Sequence, residues 1–333
     1  MRAFLLDGYG AIADHVRLAE IADPVPGPED VLIDIHAASL NPIDFKIVRG
    51  DLKRVSKYTL PRTFGFDASG VVLAVGKGVS RFKPGDAVYL RASRETIGTF
   101  AEKIALPEKF VALRPAKASH EDAAALPLVG LTTVQGFDRV QARAGQRILI
   151  HAGAGGIGTF AIQYAKHLGL HVTTTTSSKN VDFVKSLGAD RVIAYDRENY
   201  LEQGGDYDIV YDTLGGAFTV DAFKLTRKGG AVISLSGPPD RDFARREGAG
   251  LLVRAAVWLM SRKVYAASAA SGASYCWFFT EPSGDQLREI ARLVDSGAIK
   301  PVVDRIFAFA QLPAALTYLE VGRARGKVVL KVR

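Results

Sequence analysis

A short apolar run that ends in a glycine cluster and opens directly into a helix leaves a chain few folds to choose from. Gln146-Arg147-Ile148-Leu149-Ile150-His151-Ala152-Gly153-Ala154-Gly155-Gly156-Ile157-Gly158 is such a stretch, and Thr159 to Leu168 follow with helical spacing. Gly153, Gly155 and Gly158 have the spacing of a dinucleotide-binding turn. The first permits a tight turn, the second lets backbone approach a pyrophosphate, and the third lets helix and strand pack closely. With Gly156 and Ile157, the helix start aims unpaired N–H groups and a positive dipole end at the phosphates. Phe160, Ile162, Ala165 and Leu168 supply a buried face and Gly169 a stop. Glycine turns alone are common; the strand before and the amphipathic helix after give this one its context.

The rhythm around the turn extends the argument. Asp122 to Phe137 reads as one helix, despite Pro127 and Gly130. After the turn and its helix come strands at 171–176, 192–195, 208–212 and 231–236, with helices at 181–187 and 217–225 between them. Such alternation predicts an α/β domain with a parallel, doubly wound sheet. From Met1 to about Leu113 the pattern is β instead. Val31-Leu32-Ile33-Asp34-Ile35-His36-Ala37 alternates, and short apolar runs at 70–76 and 87–90 are set off by Pro26-Gly27-Pro28 and Pro84-Gly85-Asp86. This predicts a small β-barrel-like domain. Beyond Pro238-Pro239, Ala244 to Lys263 reads as an inserted helical segment, apolar at its centre and basic at both ends. A packed helix is the expectation, with a lid or a membrane-surface patch as alternatives. Asp285 to Ser296 and Ala314 to Leu319 are helical, and Lys327 to Val332 is a terminal strand.

A length of 333 residues suggests about two domains. The single cysteine, Cys276, excludes an intramolecular disulfide, and the opening residues do not read as a secretory signal, so the expected location is cytoplasmic. The densest apolar run, Leu251 to Met260, contains Arg254 and is shorter than the roughly 20 residues of a membrane span. The +8 formal charge is scattered, without a basic helix or RNA-binding aromatic signature, so no nucleic-acid partner is expected.

In order along the chain stand Asn41-Pro42-Ile43-Asp44-Phe45-Lys46, Phe64-Gly65-Phe66-Asp67-Ala68-Ser69-Gly70-Val71-Val72 and Phe82-Lys83-Pro84-Gly85-Asp86-Ala87-Val88. Ala124-Ala125-Leu126-Pro127 with Gly130-Leu131-Thr132-Thr133, the glycine turn, and Arg323-Ala324-Arg325-Gly326-Lys327-Val328-Val329-Leu330 complete the set. Together these resemble the zinc-independent quinone oxidoreductase branch of the medium-chain dehydrogenase/reductase superfamily. Phe278-Phe279 and Ala298-Ile299-Lys300-Pro301-Val302 look most like the subgroup holding the reticulon-4-interacting protein and the plant chloroplast oxoene reductases. The resemblance implies a GroES-like β-barrel catalytic domain from residues 1–121 and 278–333, flanking a Rossmann domain over 122–277.

Zinc-dependent relatives hold metal with thiolates and imidazoles. Here the positions resembling the first two catalytic ligands carry Asp44 or a loop neighbour, and Phe66 or Asp67, and one cysteine cannot build a four-cysteine site. Leu168-Gly169-Leu170 breaks the helix between His167 and His171, so they share no face. All six histidines are read as structural or surface residues, and no metal is expected.

About 20 residues past the turn an NAD-binding fold places a carboxylate for the ribose hydroxyl. That region reads Thr175-Thr176-Ser177-Ser178-Lys179-Asn180. Hydroxyls and a lysine suit a 2′-phosphate, so Ser177, Lys179 and Asn180 point to NADPH. By resemblance Tyr195 lies near this phosphate, Thr132 faces the nicotinamide amide, and Leu235, Ser236 and Gly237 end the strand below that ring.

Hydride transfer leaves negative charge on a substrate oxygen, which hydrogen-bond donors must meet where no metal does. Quinones and α,β-unsaturated carbonyls spread that charge by conjugation, whereas a saturated alcohol needs Lewis-acid help. Lys46 is expected to donate to the developing enolate, with Asp44 holding it, Asn41 orienting substrate or amide, and Tyr58 as alternative donor; a surface ion pair is the competing reading of Lys46 and Asp44. Phe278 and Phe279 are read as pocket lining or core. No tyrosine is followed four residues later by lysine, as the short-chain dehydrogenase mechanism requires. An NADPH-binding protein with little catalysis is the alternative function. Homodimer pairing near Val264 to Cys276 and a monomer both stay open.

Overall fold

In the computed structural model, residues 1–53, 58–241, 243–246, 248 and 250–333 are described. They divide into two compact units, Met1–Leu131 with Glu281–Arg333, and Thr132–Thr280. The first division falls later than residue 121 because the helix His120–Ala124 packs on the strands Asp30–Leu40 and Asp67–Val75 of the first unit.

The second unit is built on a parallel sheet. Its spatial order is Arg191–Ala194, His171–Thr176, Arg147–Ile150, Tyr207–Asp212, Thr226–Ser234, Ser274–Cys276. Numbered along the chain that is 3-2-1-4-5-6, and every pairing is parallel. Strand geometry sends alternate side chains to opposite faces. Ile148, Ile150, Ile209, Tyr211 and Ile233 therefore join one core with Ala161, Ile162 and Ala165 of the helix behind the turn. Leu149, Val210 and Val232 join the other, with Phe223 and Leu225. Both faces are covered, so the central strands read as near-continuous apolar runs. Strand order reverses between Arg147–Ile150 and Tyr207–Asp212, both of which lead into loops at their C-terminal ends. In such sheets ligands bind at that switch point.

In the first unit, the eleven-residue strand Asp30–Leu40 pairs with Lys327–Lys331, Asp67–Val75 and Lys103–Pro107. Ala87–Arg91, Val111–Leu113 and Val303–Ala308 extend this sheet, and Val16–Glu20, Arg2–Leu6 and Arg62–Thr63 form a second. Val31, Ile33 and Ile35 alternate inward and are fully buried with Phe64, Phe66 and Phe100. The last strand of the chain thus lies beside one of the first, with Val328 opposite Leu40.

Two local expectations are corrected. Asp122 to Phe137 is not one helix but two, His120–Ala124 and Pro127–Arg139. Pro127 has no N–H and disfavours helical backbone in the residue before it, yet it suits a first helical position. The Ala244 to Lys263 segment, in which Glu247 and Ala249 lie outside the described residues, gives a short helix Phe243–Arg246 and a longer one, Leu251–Ser271. The longer helix packs on Ala217–Leu225 as expected, but only through a narrow stripe, Val257, Ser261 and Val264, while Leu252 is 88% exposed. No helix of the described residues is long and apolar enough to cross a membrane.

Candidate active site

The glycine turn follows Ile150 and its helix runs Gly156–His167. A Cβ on Gly153 would lie 2.1 Å from Thr174 Oγ1, and one on Gly158 would lie 2.4 Å from the Ala152 carbonyl oxygen. Neither position has room for any side chain. A Cβ on Gly155 meets nothing closer than the Ala152 oxygen at 3.3 Å. Two glycines are thus consumed by strand and helix contacts, and the middle one, at the helix N-terminus, faces space. With Gly156 and Ile157 opening the helix, this cradle fits a pyrophosphate.

Three neighbouring strand ends are laced together beside it. Thr213 Oγ1 donates to the His151 carbonyl at 3.1 Å, and Ser236 Oγ donates to the Thr213 carbonyl at 3.1 Å. Asp212, fully buried, accepts from Leu214 N and Gly215 N at 2.9 Å, Thr219 Oγ1 at 2.5 Å and Ser234 Oγ at 2.7 Å. Ser234 Oγ in turn accepts from Gly237 N at 2.9 Å, and Leu235 N donates to the Asp212 carbonyl. Leu235, Ser236 and Gly237 are therefore held against the first strand end by a polar net. Sequence reading missed Asp212 and Thr213; an aspartate closing an apolar strand before Thr213-Leu214-Gly215-Gly216 was the available signal. His151 is buried with Nδ1 3.3 Å from Thr175 Oγ1, and burial pushes its pKa down, opposed by Asp212.

At the end of His171–Thr176, Lys179 is exposed and makes no ion pair among the described residues. Asn180 is buried, with Nδ2 donating to Ser177 Oγ at 3.2 Å. Tyr195 is 61% exposed. Beside it stands a carboxylate that the sequence reading passed over. Asp196 accepts from Ser178 N at 2.8 Å and Ser178 Oγ at 2.7 Å, which lower its pKa. Both of its oxygens are engaged by Ser178.

Thr132 is buried, its hydroxyl 2.7 Å from that of Thr280, so the residues that open and close the second unit meet. Phe278 and Phe279 point apart. Phe278 packs in the core near Gly136 and Ile233, under the Arg139 guanidinium at 4.8 Å. Phe279 is half-buried and meets Trp277 at 4.9 Å and Phe243 at 5.5 Å, edge to face. Of the pair, only Phe279 keeps an accessible face.

The first unit holds a buried charge cluster around Asn41. This residue is 1% exposed and precedes the helix Pro42–Arg49. Asn41 N donates to Asp44 Oδ2 at 2.6 Å, the return half of a capping box. Asn41 Nδ2 donates to Asp67 Oδ2 at 2.9 Å, and Asn41 Oδ1 accepts from Lys327 Nζ, which also donates to the Leu40 carbonyl at 2.8 Å. Since lysine only donates, the carboxamide orientation is fixed. Lys327 Nζ lies 3.9 Å from Asp67 Oδ2, and the Arg91 guanidinium sits over Phe66. Asp67 also accepts from Leu128 N at 3.3 Å. Burial pushes the Asp44 carboxyl up to about 8, with Asp67 adding to the rise and Asn41 N, Lys327 and Arg91 opposing it. The Asp67 carboxyl is raised by the same cause, against Lys327 and Arg91, and the Lys327 amine is lowered.

The structure thus brings Asn41 and Asp44 together and leaves Lys46 and Tyr58 out. Lys46 is half-buried, and no ion pair joins it to Asp44 among the described residues. Side chains two apart on a helix do not face each other. Tyr58 packs against the barrel core under the Arg62 guanidinium at 4.8 Å. Sequence reading also missed Lys327 and Arg91 as partners. A lysine opening the apolar strand Lys327–Lys331 was the signal. No group of three or more His, Cys, Asp or Glu side chains among the described residues is placed to hold a metal.

A 3-2-1-4-5-6 sheet with a glycine turn at its switch point, joined to a β-barrel unit made by both chain ends, defines a two-unit dehydrogenase class of protein. Residues 27–116 match the alcohol dehydrogenase GroES-like domain family, and residues 187–330 the zinc-binding dehydrogenase family. The chain is 34% identical over 341 residues to the 2-methylene-furan-3-one reductase of Solanum lycopersicum and equally to the chloroplastic NADPH-dependent alkenal/one oxidoreductase of Arabidopsis thaliana. Each alignment covers 99% of this chain and 79% of the relative. The solved quinone oxidoreductase of Coxiella burnetii superposes with a TM-score of 0.86 at 30% identity, covering 100% of this chain and 99% of that one. The chain belongs to the quinone oxidoreductase branch of the medium-chain dehydrogenase/reductase superfamily.

Proposed function

We propose that the protein is an NADPH-dependent oxidoreductase that passes hydride to a quinone or an α,β-unsaturated carbonyl. The observation that carries this is the glycine turn at the switch point, where Gly153 and Gly158 are spent on close contacts and Gly155 opens onto a helix N-terminus. Bound NADPH supplies the hydride. The protein's part is to hold it, with Ser177, Lys179 and Asn180 at the 2′-phosphate and Tyr195 close by. Asp196, held ionised by its hydrogen bonds from Ser178, is the charge that Lys179 has to offset for a 2′-phosphate to bind. Thr132 and the Leu235-Ser236-Gly237 strand end serve the nicotinamide, the latter held through Asp212 and Thr213.

Two observations support chemistry without zinc. The positions resembling the first two ligands, Asp44 or a loop neighbour and Phe66 or Asp67, offer no thiolate or imidazole, and the charge of Asp67 is met by Lys327 and Arg91. A conjugated acceptor tolerates such a site because its transition-state charge is spread. In this reading Lys46, which lies outside the buried cluster, donates the proton to the enolate, while Asp44, Asp67 and Lys327 hold Asn41 in place. Phe279 lines the pocket. We take the compartment to be the reducing cytoplasm, since one cysteine in the sequence cannot form an intramolecular disulfide, and cell fractionation tests this.

The test is NADPH oxidation, followed at the nicotinamide absorbance band, with a panel of quinones and enones. Turnover of at least one class is expected. Tight NADPH binding with no turnover anywhere in the panel rejects the catalytic reading.

A further inference from the structure

The helix Leu251–Ser271 carries no acidic residue along its length. Its buried stripe, Val257, Ser261 and Val264, is narrow. At about 100° per residue, Leu252, Ala255 and Leu259 point away from that stripe. Leu251, Leu252, Leu259 and Met260 are each more than half exposed. Arg262 and Lys263 follow one turn later on the same outward side, both exposed. Trp258 is 54% exposed at the margin, with the Arg241 guanidinium 5.9 Å from its ring and 4.1 Å from that of Tyr265.

We infer that this face docks on an anionic phospholipid bilayer, the helix lying in the plane of the headgroups. Clustered exposed aliphatic side chains on one side of a helix mark an interaction surface, and aliphatic residues rimmed by cations suit the headgroup–acyl boundary. Arg and Lys can lay their stems on apolar surface and keep their charges among anionic headgroups. Tryptophan, with an apolar body and one polar N–H, suits the same depth. A second copy of the chain fits poorly. An isologous contact sets the face on itself, and its Arg262 and Lys263 would meet no acid on the partner's helix. The inference stands on this helix alone and does not depend on the catalytic reading.

The full chain is mixed with vesicles of phosphatidylcholine, or of equimolar phosphatidylcholine and phosphatidylserine, and sedimented. Trp258 fluorescence is followed in parallel, with Trp277 buried and insensitive. Binding to the anionic vesicles with a blue shift is expected. Leu252→Asp with Leu259→Asp should abolish it, and Arg262→Glu with Lys263→Glu should weaken it about tenfold or more. These positions are exposed, so an unchanged thermal midpoint checks that the variants fold. Absence of binding to either vesicle overturns the proposal. So does binding that survives the Leu252 and Leu259 changes. Concentration-dependent dimerisation lost in those variants, without vesicle binding, assigns the face to a second copy and overturns it as well, as does specific capture of an acidic protein alone.

Discussion

The glycine turn of the second unit and the charge cluster of the first place opposite demands on their side chains. At Gly153 and Gly158 function depends on side chains being absent, so that backbone groups can approach and the helix end is free. Around Asn41, the structure gathers four buried ionisable groups, Asp44, Asp67, Arg91 and Lys327, each less than a tenth exposed. The turn is local and stays neutral. The cluster is assembled across 286 positions of sequence, between Asn41 and Lys327, and its charge state depends on every member. Local neutral devices tolerate pH and fail by steric clash; dispersed ionic ones fail by losing one partner.

Removing one cation should have the largest effect. Lys327→Met leaves Asp67 and the Asn41 oxygen short of a partner in a dry site, and should cost about 3–5 kcal/mol in urea unfolding. A change below 1 kcal/mol would mean that the cluster is not the coupled unit described. Lys46→Ala should lower kcat about a hundredfold, with stability within about 0.5 kcal/mol. If Lys46→Ala keeps full activity, the proton comes from elsewhere. Gly158→Ala drives a methyl against the Ala152 carbonyl, and should cost about 1–3 kcal/mol and weaken NADPH binding measured by fluorescence.

The pH response sets two groups of the first unit against each other. Asp44 is raised from 3.8 to about 8, so the folded state binds a proton that the unfolded chain gives up. Its contribution is complete below about pH 4 and is lost as pH rises through 8, at up to about 1.4 kcal/mol per pH unit. His120, pushed down to about 4 chiefly by burial, works the other way, favouring the fold as pH rises. The comparison to make is therefore Asp44→Asn against the parent, where the difference in unfolding free energy should slope with pH between those limits. A flat difference would show Asp44 ionised throughout. Smallest in energy, Lys179→Ala should cost NADPH about tenfold in Kd and leave NADH unchanged. An unaltered preference would move the phosphate contact to Ser177 or Tyr195.

The turn was readable because its determinants are contiguous: thirteen residues hold the strand, the glycines and the helix start. The alternation behind it gave the parallel sheet for the same reason, since each strand announces itself by its own residues. The cluster was only half readable. Asn41 and Asp44 belong to one motif, but the reading gave Asp44 Lys46 as its partner, which helical periodicity turns aside. Its actual neighbours, Asp67 and Lys327, come from other strands, and nothing in one sequence fixes which strands lie side by side. The packed reading of Ala244 to Lys263 held for one stripe only: apolar content suggests burial, whereas only the assembled fold shows which side is covered.

The strand Lys327–Lys331 sits between Val303–Ala308 and Asp30–Leu40, inside its sheet rather than at the border. A ribosome making this chain releases the whole second unit before that strand exists. The nascent first unit must wait, with the edge of Asp30–Leu40 open and Asp67 without its ammonium, until Lys327–Lys331 emerges. Deleting that strand would strip Asn41 of its anchor while leaving the nucleotide fold intact.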